Sequence, residues 1–178
     1  GHVQDRVAAW LNPWDLADGS GFQIVQGTYA LAWGGIGGQG LGRGYGIQGL
    51  GKAFVATDSI FVIIGEELGI FGSTAVLAAF LLIAGAGFRI AMRADDPYHK
   101  LLAAGLTVSL SFQAFVILGG LLRVLPLTGI TLPFLSYGGS SLIANYVLVA
   151  LLLRTSDEVS TRAEGTARGG RVRVGANV

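Results

Sequence analysis

The sequence predicts an all-α, polytopic membrane protein whose C-terminal transmembrane helices follow a large glycine-rich outer loop. Three observations lead there. Charged residues are 13% of the 178 and hydrophobic ones 52%, whereas an average soluble domain is about 25% charged. Two stretches, 68–88 and 101–122, carry no charge, and each exceeds the roughly 20 residues that cross about 30 Å of hydrocarbon. Glycine, at 29 residues, is crowded ahead of and between such runs.

The chain divides into regions 1–58, 59–157 and 158–178. In the first, the uncharged run 19–42 is long enough to span but holds nine glycines, each costing about 1 kcal/mol against alanine in a helix. It is therefore expected to stay out of the bilayer core. Phe22, Val25, Tyr29 and Trp33 fall three or four apart, the spacing of a short interfacial helix over 22–33 with aromatics at headgroup level. A glycine-dense loop follows over 34–51.

In the second region, charge-free runs locate the membrane, because an ionised side chain at bilayer centre costs about 2.5 to 3.5 kcal/mol. Residues 68–88 and 101–122 are two spans. The third uncharged run, 124–153, is too long for one helix and is interrupted by Pro126, Pro133 and Gly138-Gly139, which remove a backbone donor or loosen φ/ψ. It splits into an outer Pro/Gly loop at 124–139 and a last helix with its core at 140–153. The polar, basic tail 158–178 is expected to be a disordered cytoplasmic extension.

Orientation follows from the cations near helix ends. Arg89, Arg93 and Lys100 flank the connection 94–99, and Arg154, Arg162, Arg168, Arg171 and Arg173 follow the last helix. Both places are expected to be cytoplasmic, with Asp58 and the 124–139 loop sharing the outer side. Arg43, Lys52 and Arg123 run against this bias. The start at Gly1-His2 reads as a piece of a longer protein.

Composition also excludes chemistry. No cysteine is present, which removes disulfides, thiolate metal sites and cysteine nucleophiles. A net charge of +1 with scattered cations argues against nucleic acid and leaves membrane lipid as the partner. With only His2 and His99, a Ser-His-Asp triad has no material; His99, beside Asp95 and Asp96, is expected to be a solvated loop residue. The segment Gly40-Leu41-Gly42-Arg43-Gly44 lacks the Gly-Lys-Ser/Thr ending of a phosphate loop.

Three constellations remain. Asp58 stands where a hydrophobic helix meets the outer surface, a reduced dielectric that suits a carboxylate to proton abstraction; Thr57-Asp58 equally suits the cap of a helix beginning at Ser59. Glu66 and Glu67 lie near the start of a span, where an acid must face water, protein or a cation. By helical rotation Glu66 lies nearer the face of Asp58, and either acid serves as structural glue or as an auxiliary acid. The outer Pro/Gly loop places Ser136, Tyr137, Gly138, Gly139 and Ser140 at the opening of the last helix. There backbone N–H groups favour an anion such as a lipid-linked phosphate, though a glycine-rich structural turn would carry the same residues.

These residues also carry a resemblance. Thr57-Asp58-Ser59-Ile60-Phe61-Val62-Ile63-Ile64-Gly65-Glu66-Glu67-Leu68-Gly69 and Leu125-Pro126-Leu127-Thr128-Gly129-Ile130-Thr131-Leu132-Pro133-Phe134-Leu135-Ser136-Tyr137-Gly138-Gly139-Ser140-Ser141 resemble the SEDS family of RodA, FtsW and SpoVE. Asn12-Pro13-Trp14, Gly21-Phe22-Gln23 and Gly38-Gln39-Gly40-Leu41-Gly42 are similar to the segment that precedes the same acid. Ala53-Phe54 stand where many relatives carry Pro-Glu.

The resemblance implies the C-terminal part of a peptidoglycan glycosyltransferase: the end of a preceding helix, the large extracytoplasmic loop and three closing helices, in the bacterial cytoplasmic membrane. It implies polymerisation of lipid II for elongation or division beside a class B penicillin-binding protein, with Asp58 as catalytic base. Thr57, Arg43, Lys52, Ser136, Tyr137, Gly138, Gly139 and Ser140 are the candidate substrate-binding residues. No cofactor is assigned, and a divalent cation at the pyrophosphate is left open. The alternatives are a lipid II flippase and a non-catalytic scaffold.

Overall fold

A computed structural model of the chain describes residues 2–45 and 59–175, with side chains described over 4–45 and 59–162. Among the described residues the helices are α1 (His2–Leu11), α2 (Phe22–Gly34), α3 (Ile60–Arg93), α4 (Pro97–Leu121) and α5 (Gly139–Gly175), with no strand. Helix α2 lies on α3, α3 on α4, and α4 on α5.

Helices α3, α4 and the Gly139–Arg162 part of α5 are long and apolar enough to cross a bilayer, with mean hydropathies of 2.1, 2.0 and 1.3. Leu81, Leu82, Phe112 and Ile143 stand exposed. Apolar surface on this scale marks contact with lipid, and the chain is membrane-embedded. What is buried is confined to the helix contacts. Phe61, Ala114, Ile117, Leu118 and Leu132 form one cluster, where the start of α3, the end of α4 and the loop after it meet. Ala91, Ala103 and Leu152 form a second near the other end. Between them Gly87 of α3 sits against the side chain of Thr107 of α4; small residues of this kind let membrane helices approach closely.

The short helix expected over 22–33 is α2. Helix α3 departs from the expected span of 68–88: it starts at Ile60, with Ser59 at the cap position, and is broken at Gly69 (φ 66°, ψ −156°). The break is seated against the glycine-rich segment. Gln39 N–H donates to the Glu66 carbonyl (3.0 Å), Gly40 N–H to the Glu67 carbonyl (3.0 Å), and Ile70 N–H to the Gly35 carbonyl (3.0 Å). Backbone groups that the broken helix would leave orphaned are thereby satisfied from another part of the chain.

Helix α4 begins inside the expected connection of 94–99. Asp96 is its N-cap, accepting from Tyr98 N–H at 3.1 Å, and Pro97 supplies a pre-set φ in the first turn. His99 is consequently helical, and it is buried rather than solvated. Its Nδ1 lies 2.9 Å from Asp96 Oδ2 and its Nε2 lies 2.7 Å from Glu158 Oε2. Arg162 reaches Asp96 at 3.1 Å and Arg154 reaches Glu158 at 3.2 Å. The His99–Glu158 and Asp96–Arg162 contacts tie α5 to the start of α4, and the helix runs on to Gly175 where composition alone predicts disorder from 158.

Candidate functional site

Alternation of α3, α4 and α5 puts the start of α3, the 122–138 loop and the start of α5 at one end of the bundle, with the His99 cluster at the other. Thr57, Asp58 and Lys52 lie outside the described residues. What surrounds their neighbour Ser59 is described: Ser59 is buried and lines a small space with Gln23, Ile24, Val62, Gly120 and Leu127.

That space adjoins a larger pocket of about 480 Å³, which shares Gln23, Ile24 and Leu127 with it and adds Asp5, Arg6, Ser20 and Gly129. Arg6 fixes one wall by donating to the carbonyl of Thr128 at 2.6 Å and of Leu127 at 3.4 Å. Trp10 Nε1 donates to the Arg123 carbonyl at 3.0 Å. Arg123 holds a left-handed φ of 61°, and the chain folds back on the end of α4, where Val124 N–H and Leu125 N–H donate to the Gly119 carbonyl at 2.8 and 3.0 Å. Arg6 was not singled out in the sequence, and Gln23 was named only within the Gly21-Phe22-Gln23 motif and not as a site residue. The signal for Arg6 was that it is the one Lys or Arg among the first 42 residues, and its partners are backbone carbonyls more than a hundred residues away.

Of the two acids, Glu66 is the one enclosed. Its side chain is fully buried and its Oε1 accepts the Tyr45 N–H at 2.6 Å. Glu67 is half-buried and enters the site through its carbonyl. Glu66 forms the floor of a pocket of about 240 Å³ walled by Gln26, Tyr29, Ala30, Trp33 and Tyr45. Arg43 is exposed on the adjoining segment.

The 136–140 residues divide. Ser136 is buried, its Oγ accepting from Leu132 N–H at 2.9 Å and its own N–H donating to the Leu132 carbonyl at 3.0 Å, so its hydroxyl serves the loop. Thr131 and Ser141 close the same turn through a 2.8 Å hydroxyl bond, and Gln113 of α4 donates to the Thr131 carbonyl at 3.1 Å. Tyr137 and Ser140 are exposed and Gly139 has open space around it. These three form the accessible rim of the α5 N-terminus. Among the described residues no group of three His, Asp or Glu residues with metal-holding geometry occurs.

Comparison with known proteins agrees with this architecture. The profile of the FtsW/RodA/SpoVE cell cycle protein family matches residues 2–161. Peptidoglycan glycosyltransferase RodA of Mycobacterium tuberculosis is 48% identical over 155 residues, covering 87% of this chain and 32% of the relative. A probable peptidoglycan glycosyltransferase FtsW of Geobacter metallireducens is 44% identical over 165 residues, covering 90% of this chain and 42% of the relative. The chain therefore spans about a third to two fifths of these relatives' length. Among solved structures, a chain of a peptidoglycan synthase complex that coordinates polymerization and crosslinking superposes with a TM-score of 0.66 at 28% identity, over 86% of this chain and 41% of that one. The profile match and the 48% identity place the conclusion beyond the fold: this chain belongs to the FtsW/RodA/SpoVE family, the SEDS proteins.

Proposed function

We propose that the chain is the C-terminal part of a peptidoglycan glycosyltransferase that polymerises lipid II into glycan strands during elongation or division. The observation that carries this reading is the 48% identity, over 87% of the chain, to a protein named for that activity. Asp58 acts as general base: it takes the proton of the acceptor's N-acetylglucosamine 4-hydroxyl as that oxygen attacks the anomeric carbon of N-acetylmuramic acid. The C–O bond to the lipid carrier breaks, and undecaprenyl pyrophosphate leaves with the electron pair. Arg43, Lys52, Thr57 and the α5 rim at Tyr137, Gly138, Gly139 and Ser140 hold the departing pyrophosphate, as helix N-termini favour anions. Ser136 supports that rim from inside the turn.

The active end faces outward in the bacterial cytoplasmic membrane, as the cation bias of the opposite end supports. The partner is a class B penicillin-binding protein, supported by the likeness to a chain of the synthase complex. The test uses the full-length protein with its transpeptidase and lipid II. Asp58→Asn should lower polymerisation about 10² to 10⁴-fold, the usual worth of general-base help, while the protein stays folded. Undiminished polymerisation would remove Asp58 from catalysis. Chelation in the same assay reads whether a divalent cation assists the pyrophosphate.

The break at Gly69 beside buried Glu66 is the observation that favours the flippase reading, since interrupted helices with buried acids also serve transporters. Lipid II translocation by vesicles holding the Asp58→Asn protein would support that reading.

A further inference from the structure

Helix α2 and the segments on either side of it carry aromatic side chains that the reaction above does not use. Trp14, Tyr29, Trp33 and Tyr45 are each exposed by half or more, and they form two contacts, Trp14 with Tyr29 at 5.6 Å between ring centroids and Trp33 with Tyr45 at 5.4 Å, edge to face. Tyr29 and Trp33 are four apart on α2, neighbours on one face about 6 Å along the axis. The four rings make one continuous ridge.

Rings at headgroup level would anchor a helix to the membrane surface. The ground beneath these rings is unlike an anchor. The pocket of about 240 Å³ between Tyr29, Trp33 and Tyr45 has the Gln26 amide in its wall, with the fully buried Glu66 beneath it already accepting the Tyr45 N–H. An acyl chain gains nothing from an amide, and burying the Gln26 side chain under it would cost free energy. A pyranose ring matches both halves: its C–H faces lie on aromatic rings, and its hydroxyls need polar partners. Trp14, packed on Tyr29, carries the ridge beyond the pocket on that side, which suits a chain of such rings better than a single one.

We propose that this ridge is a binding track for the growing β-linked aminosugar strand, with the pocket over Glu66 seating one sugar. The inference rests on the chain being part of a glycan polymerase, and it adds a surface that holds product between couplings. A polymerase with such a track extends one strand repeatedly; without it, product leaves early.

The experiment uses the full-length protein with its transpeptidase in nanodiscs. Two readouts are taken: product length from lipid II, and affinity for a soluble, carrier-free oligomer of alternating N-acetylglucosamine and N-acetylmuramic acid, the latter repeated in an Asp58→Asn background. Trp33→Leu should weaken oligomer binding at least tenfold and shorten the strands, with the initial coupling rate unchanged, and Trp33→Tyr should restore both by returning an aromatic face. Unchanged affinity and strand length in Trp33→Leu would overturn the track and leave the rings as membrane anchors, as would failure of Trp33→Tyr to rescue. If the protein fails to polymerise yet still binds the oligomer through Trp33, the polymerase reading falls and the glycan surface stands.

Discussion

The Glu66 carboxylate accepts the backbone N–H of Tyr45 at 2.6 Å. The Glu66 carbonyl, on the other side of the same residue, accepts the N–H of Gln39 at 3.0 Å. One buried residue of α3 therefore holds the glycine-rich segment at two points six residues apart, just before that segment runs on toward Asp58. This explains how an acid is tolerated near the start of a span: it is enclosed by protein and hydrogen-bonded, the condition a buried acid requires.

Glu66→Gln and Glu66→Leu separate charge from hydrogen bonding. Glutamine keeps an acceptor oxygen for the Tyr45 N–H, while leucine leaves that donor without it, a loss worth about 1 to 3 kcal/mol for a buried group. Thermal unfolding of the purified protein should therefore rank wild type and Glu66→Gln close together and Glu66→Leu clearly lower. Equal melting of the two variants would mean the Tyr45 contact contributes nothing.

Gly69 is the second element of the same seat. Its φ of 66° is in the left-handed region, and an added Cβ would lie 2.5 Å from Gly38 N and 2.5 Å from the Ile36 carbonyl oxygen. Gly69→Ala should destabilise by about 1 to 3 kcal/mol through strain and displacement of the docked segment. Gly85→Ala is the control: that glycine is mid-helix with open space around it, and alanine there should be neutral or stabilising by about 0.5 to 1 kcal/mol. Differential scanning fluorimetry distinguishes the two, and similar melting shifts would show that the break is not required.

Much of the frame was legible in the sequence because charge-free runs and membrane thickness are both local quantities. Residues 68–88 and 101–122 needed only counting, and the aromatic spacing of 22–33 marked α2. The signal for the α4 start, Asp96-Pro97, was also local, and it moves that helix four residues earlier than hydropathy placed it. The rest depends on distant partners. Gly69 breaks a helix because residues 35–40 are there to satisfy its backbone, and no window around Gly69 contains them. His99 is buried because Glu158, 59 positions later, folds back on it. Ser136 looks like a ligand-facing hydroxyl in a Ser-Tyr-Gly-Gly string, but its backbone turns the oxygen inward onto Leu132. Arg6 went unnoticed since its role lies in the carbonyls of Leu127 and Thr128.

Close helix contact gives a third expectation. A Cβ on Gly87 would run into the Thr107 side chain, and Thr107 is buried with its hydroxyl bonded to the Ala103 carbonyl at 2.7 Å. Gly87→Val forces α3 and α4 apart at a packed crossing, an overpacking cost of about 1 to 3 kcal/mol. Gly105→Val, with open space around the glycine, should cost only the helix-propensity difference. Cross-linking between cysteines introduced at Ile90 and Ala104, in a chain that otherwise has none, should fall in Gly87→Val and persist in Gly105→Val.

At the opposite end, acid should release α5 from α4. The Asp96 carboxyl is held below the usual carboxylate range, first by the N–H of Tyr98, then by His99 and Arg162. A lowered folded-state pKa means that its stabilising contribution is complete above the unfolded value of about 3.9 and is lost as pH falls through the lower folded value. The groups facing it are His99 on α4 and Arg162 on α5, with Glu158 and Arg154 completing the cluster. Protonating Asp96 discharges its ion pair with Arg162, which joins the two helices. A spin label at Ser160 should be more mobile below about pH 4 than at neutral pH. Asp96→Asn preserves an acceptor for the Tyr98 N–H while deleting the charge, so its label should be more mobile at neutral pH and its acid response weaker. An identical mobility profile in wild type and Asp96→Asn would show that the ion pairs across this end do not hold the two helices together.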